Sequence, residues 1–204
     1  MKALHEVSES KERVLNAAEQ LFSSRGYKVV TLRDIAAAVG LNHASLYHHA
    51  PGGKETLFVE VMERSFRRHR TSIDAAIAQA GPDLKAELQA ATRWMLSQPP
   101  IDFMRMLMSD MPAISKAASR RLTQAAFEAF MAPFEKSFVR AHEAGHIRMV
   151  SDPRILAGAF LAIVQNVHAV PIDPKQNPMP KASMIDEMID VLLNGLKIKV
   201  IEKR

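Results

Sequence analysis

The fold is decided by the stretch TLRDIAAAVGLNHASLYHH, residues 31–49, which has the layout of two short helices joined by a tight turn. Thr31 can cap the first helix, and Asp34 completes a capping box three residues later. Gly40 suits the positive φ of the turn, and Asn42 can cap the second helix. The stretch therefore predicts a helix-turn-helix, whose second helix fits the major groove of DNA.

Helical patterns continue on both sides of this stretch, separated by proline and glycine. Pro133 falls inside one of them and should kink or divide that helix. Residues 171–180 include four prolines and predict a loop. About nine helices are expected, over residues 11–25, 32–39, 43–49, 54–80, 84–97, 101–109, 115–142, 153–168 and 183–199.

The hydrophobic content, the absence of cysteine and the net charge limit the classes of protein to which the chain can belong. The chain has 204 residues, 48% of them hydrophobic and 6% aromatic, which suits an all-α protein with a substantial core. It has no cysteine, so disulfides and thiolate metal sites are excluded. The sequence shows no signal peptide and no membrane span, which predicts a soluble cytoplasmic protein. The net charge of +5 favours a polyanionic partner.

The region from Arg13 to Glu63 resembles the DNA-binding head of the TetR/AcrR family of bacterial transcription regulators. About 50 residues match the family in order and spacing. The motifs that carry the resemblance are Leu21-Phe22, Gly26-Tyr27, Thr31-Leu-Arg-Asp-Ile-Ala, Val39-Gly40, Leu46-Tyr47-His48 and Gly53-Lys54-Glu55. Ala50 departs from the pattern, since many relatives have a bulky aromatic residue there, and looser packing of the head is expected.

The resemblance implies a fold and a function. It implies a helix-turn-helix DNA-binding domain over residues 8–53 and an effector-binding and dimerisation domain over residues 54–204. The expected function is that of a repressor, released from a palindromic double-stranded DNA operator by a small apolar effector, and active as a homodimer. No cofactor and no enzymatic activity are expected, since the sequence has no glycine-rich phosphate loop and no nucleophile elbow.

The resemblance also implies DNA-contacting residues. His43, Ala44 and Ser45 would meet base edges, and Tyr47 and His48 would hold the phosphate backbone. The other candidates are Thr31, Arg33, Asn42 and Lys54. Arg33 is either a base contact or a surface arginine paired with an acid, and Tyr47 is either a phosphate contact or a packed ring.

Two further sets of candidates lie in the second half of the chain. A methionine-rich region around residues 94–111 would line the effector cavity in a TetR-like arrangement, although plain core packing is the alternative for each residue. The candidates for the cavity are Trp94, Phe103, Met104, Leu107, Met108, Phe127, Phe130, Asn166 and His168. The candidates for a four-helix dimer interface, whose alternative is an intrachain core, are Ile155, Ala159, Phe160, Ile163, Val167, Ile185, Met188, Ile189, Leu192 and Leu196.

The segment HEAGH, residues 142–146, matches the H-E-x-x-H pattern of zinc proteases. That pattern needs an uninterrupted helix, whereas Gly145 indicates a helix C-terminus, so no metal site is expected here. Two alternatives from other classes are an architectural DNA binder and an enzyme. The architectural binder would differ from a regulator in showing no preferred sequence and a strong dependence on salt. The enzyme would lose its function on His142→Ala or Glu143→Ala while DNA binding stays intact.

Overall fold

A computed structural model describes residues 2–99, 101–148, 152–169 and 179–196. The described residues are helices and their connections, without a strand, so the predicted all-α class is confirmed. None of the helices in these ranges combines the length and the apolar content that crossing a membrane requires.

The helices begin and end close to the predicted positions. Their bounds are α1 (Lys2–Arg25), α2 (Leu32–Ala38), α3 (His43–His49), α4 (Gly53–Ala80), α5 (Leu84–Leu96), α6 (Phe103–Arg105), α7 (Lys116–Ala126), α8 (Ala132–Glu143), α9 (Pro153–Ala169) and α10 (Lys181–Leu196). A π-helical turn, Phe127–Met131, lies between α7 and α8. Counting α7 and α8 as one interrupted helix, the described ranges contain the nine helices predicted.

Three helices differ from the prediction. Helix α1 begins at Lys2 rather than Lys11, because the residues before the apolar stripe are helix formers that lack a stripe of their own. The helix predicted over residues 101–109 is broken into α6, a π-helical turn (Met106–Asp110) and a 3₁₀ turn (Met111–Ala113) that contains Pro112. Helix α10 begins at Lys181; residues 197–199 of its predicted span and residues 171–178 of the predicted loop lie outside the described residues.

The prediction that Pro133 divides its helix is confirmed. Pro133 stands in the first turn of α8, directly after the π-helical turn. A proline lacks the backbone N–H that would bond to the carbonyl one turn earlier, so a regular α-helix cannot run through it unchanged. The wider π turn is where the helix absorbs that loss.

The chain forms two compact units. The first comprises residues within Met1–Arg67 and Ile101–Ala125, and the second comprises residues within Arg68–Pro100 and Ala126–Arg204. The segment 101–125 thus belongs to the same unit as the helix-turn-helix, although it follows it by some 50 residues. The boundary predicted between residues 53 and 54 stays a prediction.

Each unit has its own apolar core. In the first unit, Ile35 and Leu46 are fully buried and join α2 to α3, while Val14 and Phe58 anchor α1 and α4. In the second unit, the rings of Phe134 and Phe160 meet edge to face at 5.0 Å. Burial of each of these side chains contributes roughly 1.5–3 kcal/mol to the stability of the fold. Short helices are not stable in isolation, so this packing holds them in place.

Candidate DNA interface

The first helix of the helix-turn-helix starts at a complete capping box. The Thr31 Oγ1 accepts a hydrogen bond from the Asp34 backbone N–H at 3.2 Å, and Asp34 Oδ2 accepts one from the Thr31 backbone N–H at 2.8 Å. The Thr31 hydroxyl also donates to Asp34 Oδ2 at 2.6 Å. These donors hold the pKa of Asp34 below its ordinary value. The predicted capping box is confirmed, and it fixes where α2 begins.

The second helix, α3, is capped in the predicted way. Asn42 Oδ1 accepts a hydrogen bond from the Ser45 backbone N–H at 2.7 Å. Gly40 has φ +69°, which provides the turn between α2 and α3. Arg13 donates to the Val39 backbone carbonyl at 2.9 Å, which ties the end of α2 to α1. Both ends of the turn are therefore held by specific hydrogen bonds.

The outer face of α3 carries four of the nine predicted DNA-contacting residues. Ala44 and His48 are exposed, Ser45 is half-buried, and Tyr47 keeps 46% of its surface exposed. The side chain of His43 lies outside the described residues. On the inner side, Leu46 is fully buried and Ala50 is 3% exposed, so the small residue that departs from the family pattern belongs to the core. The helix thus presents one polar face and buries the other.

The remaining predicted contacts lie beside α3. Thr31 and Arg33 are exposed at the start of α2, where Thr31 is occupied by its capping box. Lys54, in the first turn of α4, places its Nζ 4.3 Å from the centre of the Tyr27 ring. Burial lowers the pKa of Lys54, and the carboxylates of Asp110 and Asp34 oppose that shift.

The loop that carries Tyr27 is held by residues that sequence reasoning missed. Asp110 Oδ1 accepts a hydrogen bond from the Tyr27 backbone N–H at 2.9 Å, and Asp110 is only 3% exposed. Arg105 donates to the carbonyls of Ser24 at 3.1 Å and Phe22 at 3.3 Å, and also to that of Ser23. The signal that could have found them is weak: they are two of three charged residues in a methionine-rich segment.

The effector candidates are distributed over both units. Phe103, Met104, Leu107 and Met108 belong to the first unit, where the last three are 58–70% exposed. Phe130 and Trp94 belong to the second unit and lie on His69, each with its ring centre 5.0 Å from the imidazole. The sequence interpretation missed His69, which is 5% exposed. The other candidates in the second unit are Phe127, half-buried, Asn166, exposed, and His168, buried.

The dimer candidates separate into a buried and an exposed set. Phe160, Ile185, Ile189 and Leu196 are at most 5% exposed and belong to the core of the second unit. The exposed members are Ile155 (67%), Met188 (38%) and Ala159, while Ile163, Val167 and Leu192 are half-buried. Val191, 66% exposed, was not among the candidates.

The HEAGH segment has the geometry of a helix end. Helix α8 ends at Glu143, Gly145 has φ +73°, and the backbone N–H of His146 donates to the Ala141 carbonyl at 2.9 Å. The Gly145 N–H donates to the His142 carbonyl at 2.8 Å, which completes a Schellman motif. The prediction that Gly145 terminates the helix is confirmed, and His142 and His146 do not share a helical face.

Comparison with known proteins finds a family match within the first unit. Residues 14–61 match the family model described as bacterial regulatory proteins, tetR family. We call residues 14–61 the TetR-family segment, after the family whose model they match. The match covers α2 and α3 in full, with the capping box, the turn and the recognition helix. The family is one of regulatory proteins and not of enzymes.

Two curated relatives resemble the TetR-family segment. The HTH-type transcriptional regulator LmrA of Bacillus subtilis (strain 168) is 43% identical over 54 residues, which are 26% of this chain and 29% of LmrA. The HTH-type transcriptional repressor KstR2 of Rhodococcus jostii (strain RHA1) is 38% identical over 77 residues, 38% of this chain and 37% of KstR2. The chain thus matches less than two fifths of the length of these relatives.

The fold extends the likeness beyond the TetR-family segment. The chain is similar to AibR, solved in complex with isovaleryl coenzyme A and operator DNA, with a TM-score of 0.72 and 21% identity. The alignment covers 90% of this chain and 98% of the AibR chain. At that identity the likeness shows a shared, TetR-like fold.

Proposed function

We propose that this chain is a transcriptional regulator that binds a palindromic DNA operator as a homodimer and represses transcription until a small apolar effector releases it. The observation that carries the proposal is the TetR-family helix-turn-helix, with α3 capped by Asn42 and exposing Ala44, His48 and Tyr47. KstR2 is described as a transcriptional repressor, which supports repression rather than activation. Such a regulator acts in the cytoplasm, where its operator lies.

The candidate residues have two proposed roles in DNA binding, contact with base edges and contact with phosphates. Ala44 and Ser45, near the start of α3, contact base edges, as does the exposed Arg33. Tyr47 and His48 contact phosphates, since a hydroxyl and a ring N–H fix the register without reading sequence. Lys54, in the first turn of α4, adds a positive charge that also favours phosphate. Two copies of α3 would enter successive major grooves, about 34–36 Å apart or at a variant of that spacing.

The exposed apolar side chains of α9 and α10 support a second copy of the chain as partner. Ile155, Met188 and Val191 are each more than a third exposed, beside the small Ala159. Packing them against the same residues of a second copy would form an isologous four-helix interface. Val191→Glu should give monomers in analytical ultracentrifugation, whereas Met104→Glu, at an equally exposed site elsewhere, should leave the dimer intact. A dimer that survives Val191→Glu and Ile155→Glu would contradict this interface.

For the effector, we propose an apolar compound bound in the second unit near Trp94, Phe130 and His168. AibR was solved with isovaleryl coenzyme A, whose apolar part is a short branched acyl group, so this thioester is the first compound to test for recognition of such a group. Isovaleryl coenzyme A should raise the melting temperature and lower DNA affinity, whereas coenzyme A alone should do neither. If both compounds act alike, the acyl chain is not what the protein recognises.

The experiment that tests the regulatory function is selection of bound sequences from random duplex DNA. The wild type should enrich a palindrome. Tyr47→Ala should weaken all selected sites, and Ser45→Ala should blur specific positions within them. Tyr47→Phe removes only the hydroxyl and separates the phosphate contact from packing of the ring. Binding without enrichment, fading as salt rises, would favour the architectural alternative over a regulator.

A further inference from the structure

The end of helix α1 is completed by a segment that lies far away in sequence. The last carbonyls of a helix have no partner within it and form its negative end. Here the guanidinium of Arg105, at the end of α6, donates hydrogen bonds to the carbonyls of Ser23 and Ser24, and also to that of Phe22, which in addition accepts the Gly26 N–H at 2.9 Å. An arginine from another part of the chain therefore caps α1.

Asp110 holds the next residues of the same loop. Its Oδ1 accepts the Tyr27 backbone N–H at 2.9 Å, and its Oδ2 lies 3.8 Å from Arg105 Nε. Because Asp110 is only 3% exposed, water cannot replace the bond that it makes to Tyr27. We call Arg105 and Asp110 the α1 clamp. The clamp fixes the position of the Tyr27 backbone.

The ring of Tyr27 carries the cation that we assign to DNA. Lys54 Nζ lies 4.3 Å from the centre of that ring, and the ring itself packs on Phe58 at 4.8 Å and on Phe22 at 6.2 Å. A flexible lysine side chain loses less conformational entropy on binding a phosphate if its conformation is already restricted in the free protein. Contact with the Tyr27 ring restricts the Lys54 side chain, and the clamp determines where Tyr27 lies.

We propose that Arg105 and Asp110 are positioning residues for DNA binding, which hold Tyr27 in place so that its ring aims Lys54 at a DNA phosphate. The proposal rests on the DNA-binding function proposed above. It adds that DNA affinity depends in part on residues that lie some 50 positions after Lys54 in the sequence. Neither the clamp residues nor Tyr27 needs to touch DNA.

The test is a double-mutant cycle with a fluorescein-labelled, mixed-sequence DNA duplex, measured between about 50 and 200 mM salt. Lys54→Ala should weaken binding about tenfold and lower the slope of log K against log salt by about 1. Asp110→Ala should weaken binding about fivefold in the wild type but less than about twofold in the Lys54→Ala background. Asp110→Asn keeps an acceptor for Tyr27 and should stay within about twofold of the wild type.

Two further variants keep the test decisive. If Asp110→Ala does not fold, Arg105→Ala takes its place in the cycle, because it removes the cap on α1 from a partly exposed position. Arg121→Ala removes an arginine of the same segment that pairs with Glu63 rather than with the loop, and it should leave DNA affinity unchanged.

The possible failures are distinguishable. Equal losses from Asp110→Ala with and without Lys54, or an unchanged salt slope in Lys54→Ala, would overturn the positioning role while DNA binding stands. A wild-type protein that does not bind duplex DNA at any salt concentration would overturn the proposed function and this inference together.

Discussion

Gly26 faces Asp110 so closely that a β-carbon added to the glycine would lie 3.1 Å from Asp110 Oδ1. The same β-carbon would lie 3.2 Å from Cδ of Arg105. Gly26 also has φ +83°, a left-handed conformation that side chains rarely adopt. Two independent reasons therefore require glycine at the junction between α1 and its clamp.

Gly26→Ala should consequently destabilise the protein more than an alanine at another left-handed glycine. Gly40 is the matched control, since it has φ +69° and nothing within 4 Å of an added β-carbon. We expect Gly40→Ala to cost about 1 kcal/mol of unfolding free energy and Gly26→Ala about 2 kcal/mol or more. Urea denaturation of both variants measures the difference. Equal losses would show that the clamp yields to the added methyl group.

The capping box gives a second stability prediction. Thr31→Ala removes the acceptor for the Asp34 N–H and the hydroxyl donor to its carboxylate, so it should cost about 1 kcal/mol. Thr31→Ser keeps both groups and should lie within a few tenths of a kcal/mol of the wild type. Chemical denaturation resolves the two, and a serine variant as weak as the alanine variant would argue against capping as the cause.

The ion pair between Arg140 and Glu87 should be asymmetric when it is broken. Glu87 is 5% exposed, whereas the Arg140 side chain is 52% exposed. Arg140→Ala leaves a buried carboxylate without its cation, and after allowance for the exposed partner it should cost about 1–2 kcal/mol. Arg154→Ala is the control, because that arginine pairs with Asp152 near the surface, and it should cost at most about 0.5 kcal/mol. Similar losses in the two variants would mean that burial of Glu87 does not matter.

His168 should make the stability of the second unit depend on pH. Burial, followed by the charge of Lys181, lowers the pKa of His168 below its ordinary value of 6.5. The unfolded chain therefore takes up the proton first, so this contribution is present above about pH 6.5 and is lost as the pH falls toward the folded pKa.

Thermal unfolding followed across this pH range tests that dependence. The wild type should lose stability as the pH falls below about 6.5, and His168→Gln should lose less. His146→Gln replaces an exposed histidine of the same unit and should keep the wild-type slope. If His168→Gln also keeps that slope, burial of His168 is not its source.

The helices of the head could be predicted because each of their ends is marked by local chemistry. Thr31 and Asn42 cap α2 and α3, and Gly40 supplies the left-handed residue between them. Such signals act over three or four residues and can be read from the sequence. The same holds for Gly145, which ends α8 and separates the two histidines of HEAGH.

The clamp could not be predicted, because its partners are about 80 residues apart and no local pattern links them. Arg105 and Asp110 also lie at and beyond the end of α6, where the helix passes into a π-helical turn that the apolar pattern does not mark.

The α1 clamp also determines when the DNA-binding head can be completed during synthesis of the chain. The residues that would contact DNA are all translated by Lys54, yet the end of α1 is capped only after Arg105 and Asp110 have emerged from the ribosome. Contacts of such sequence separation form late, since a long loop must first be closed. A nascent chain that stops after the TetR-family segment therefore contains all of α3 but lacks the Arg105 cap on α1, the helix against which the head packs.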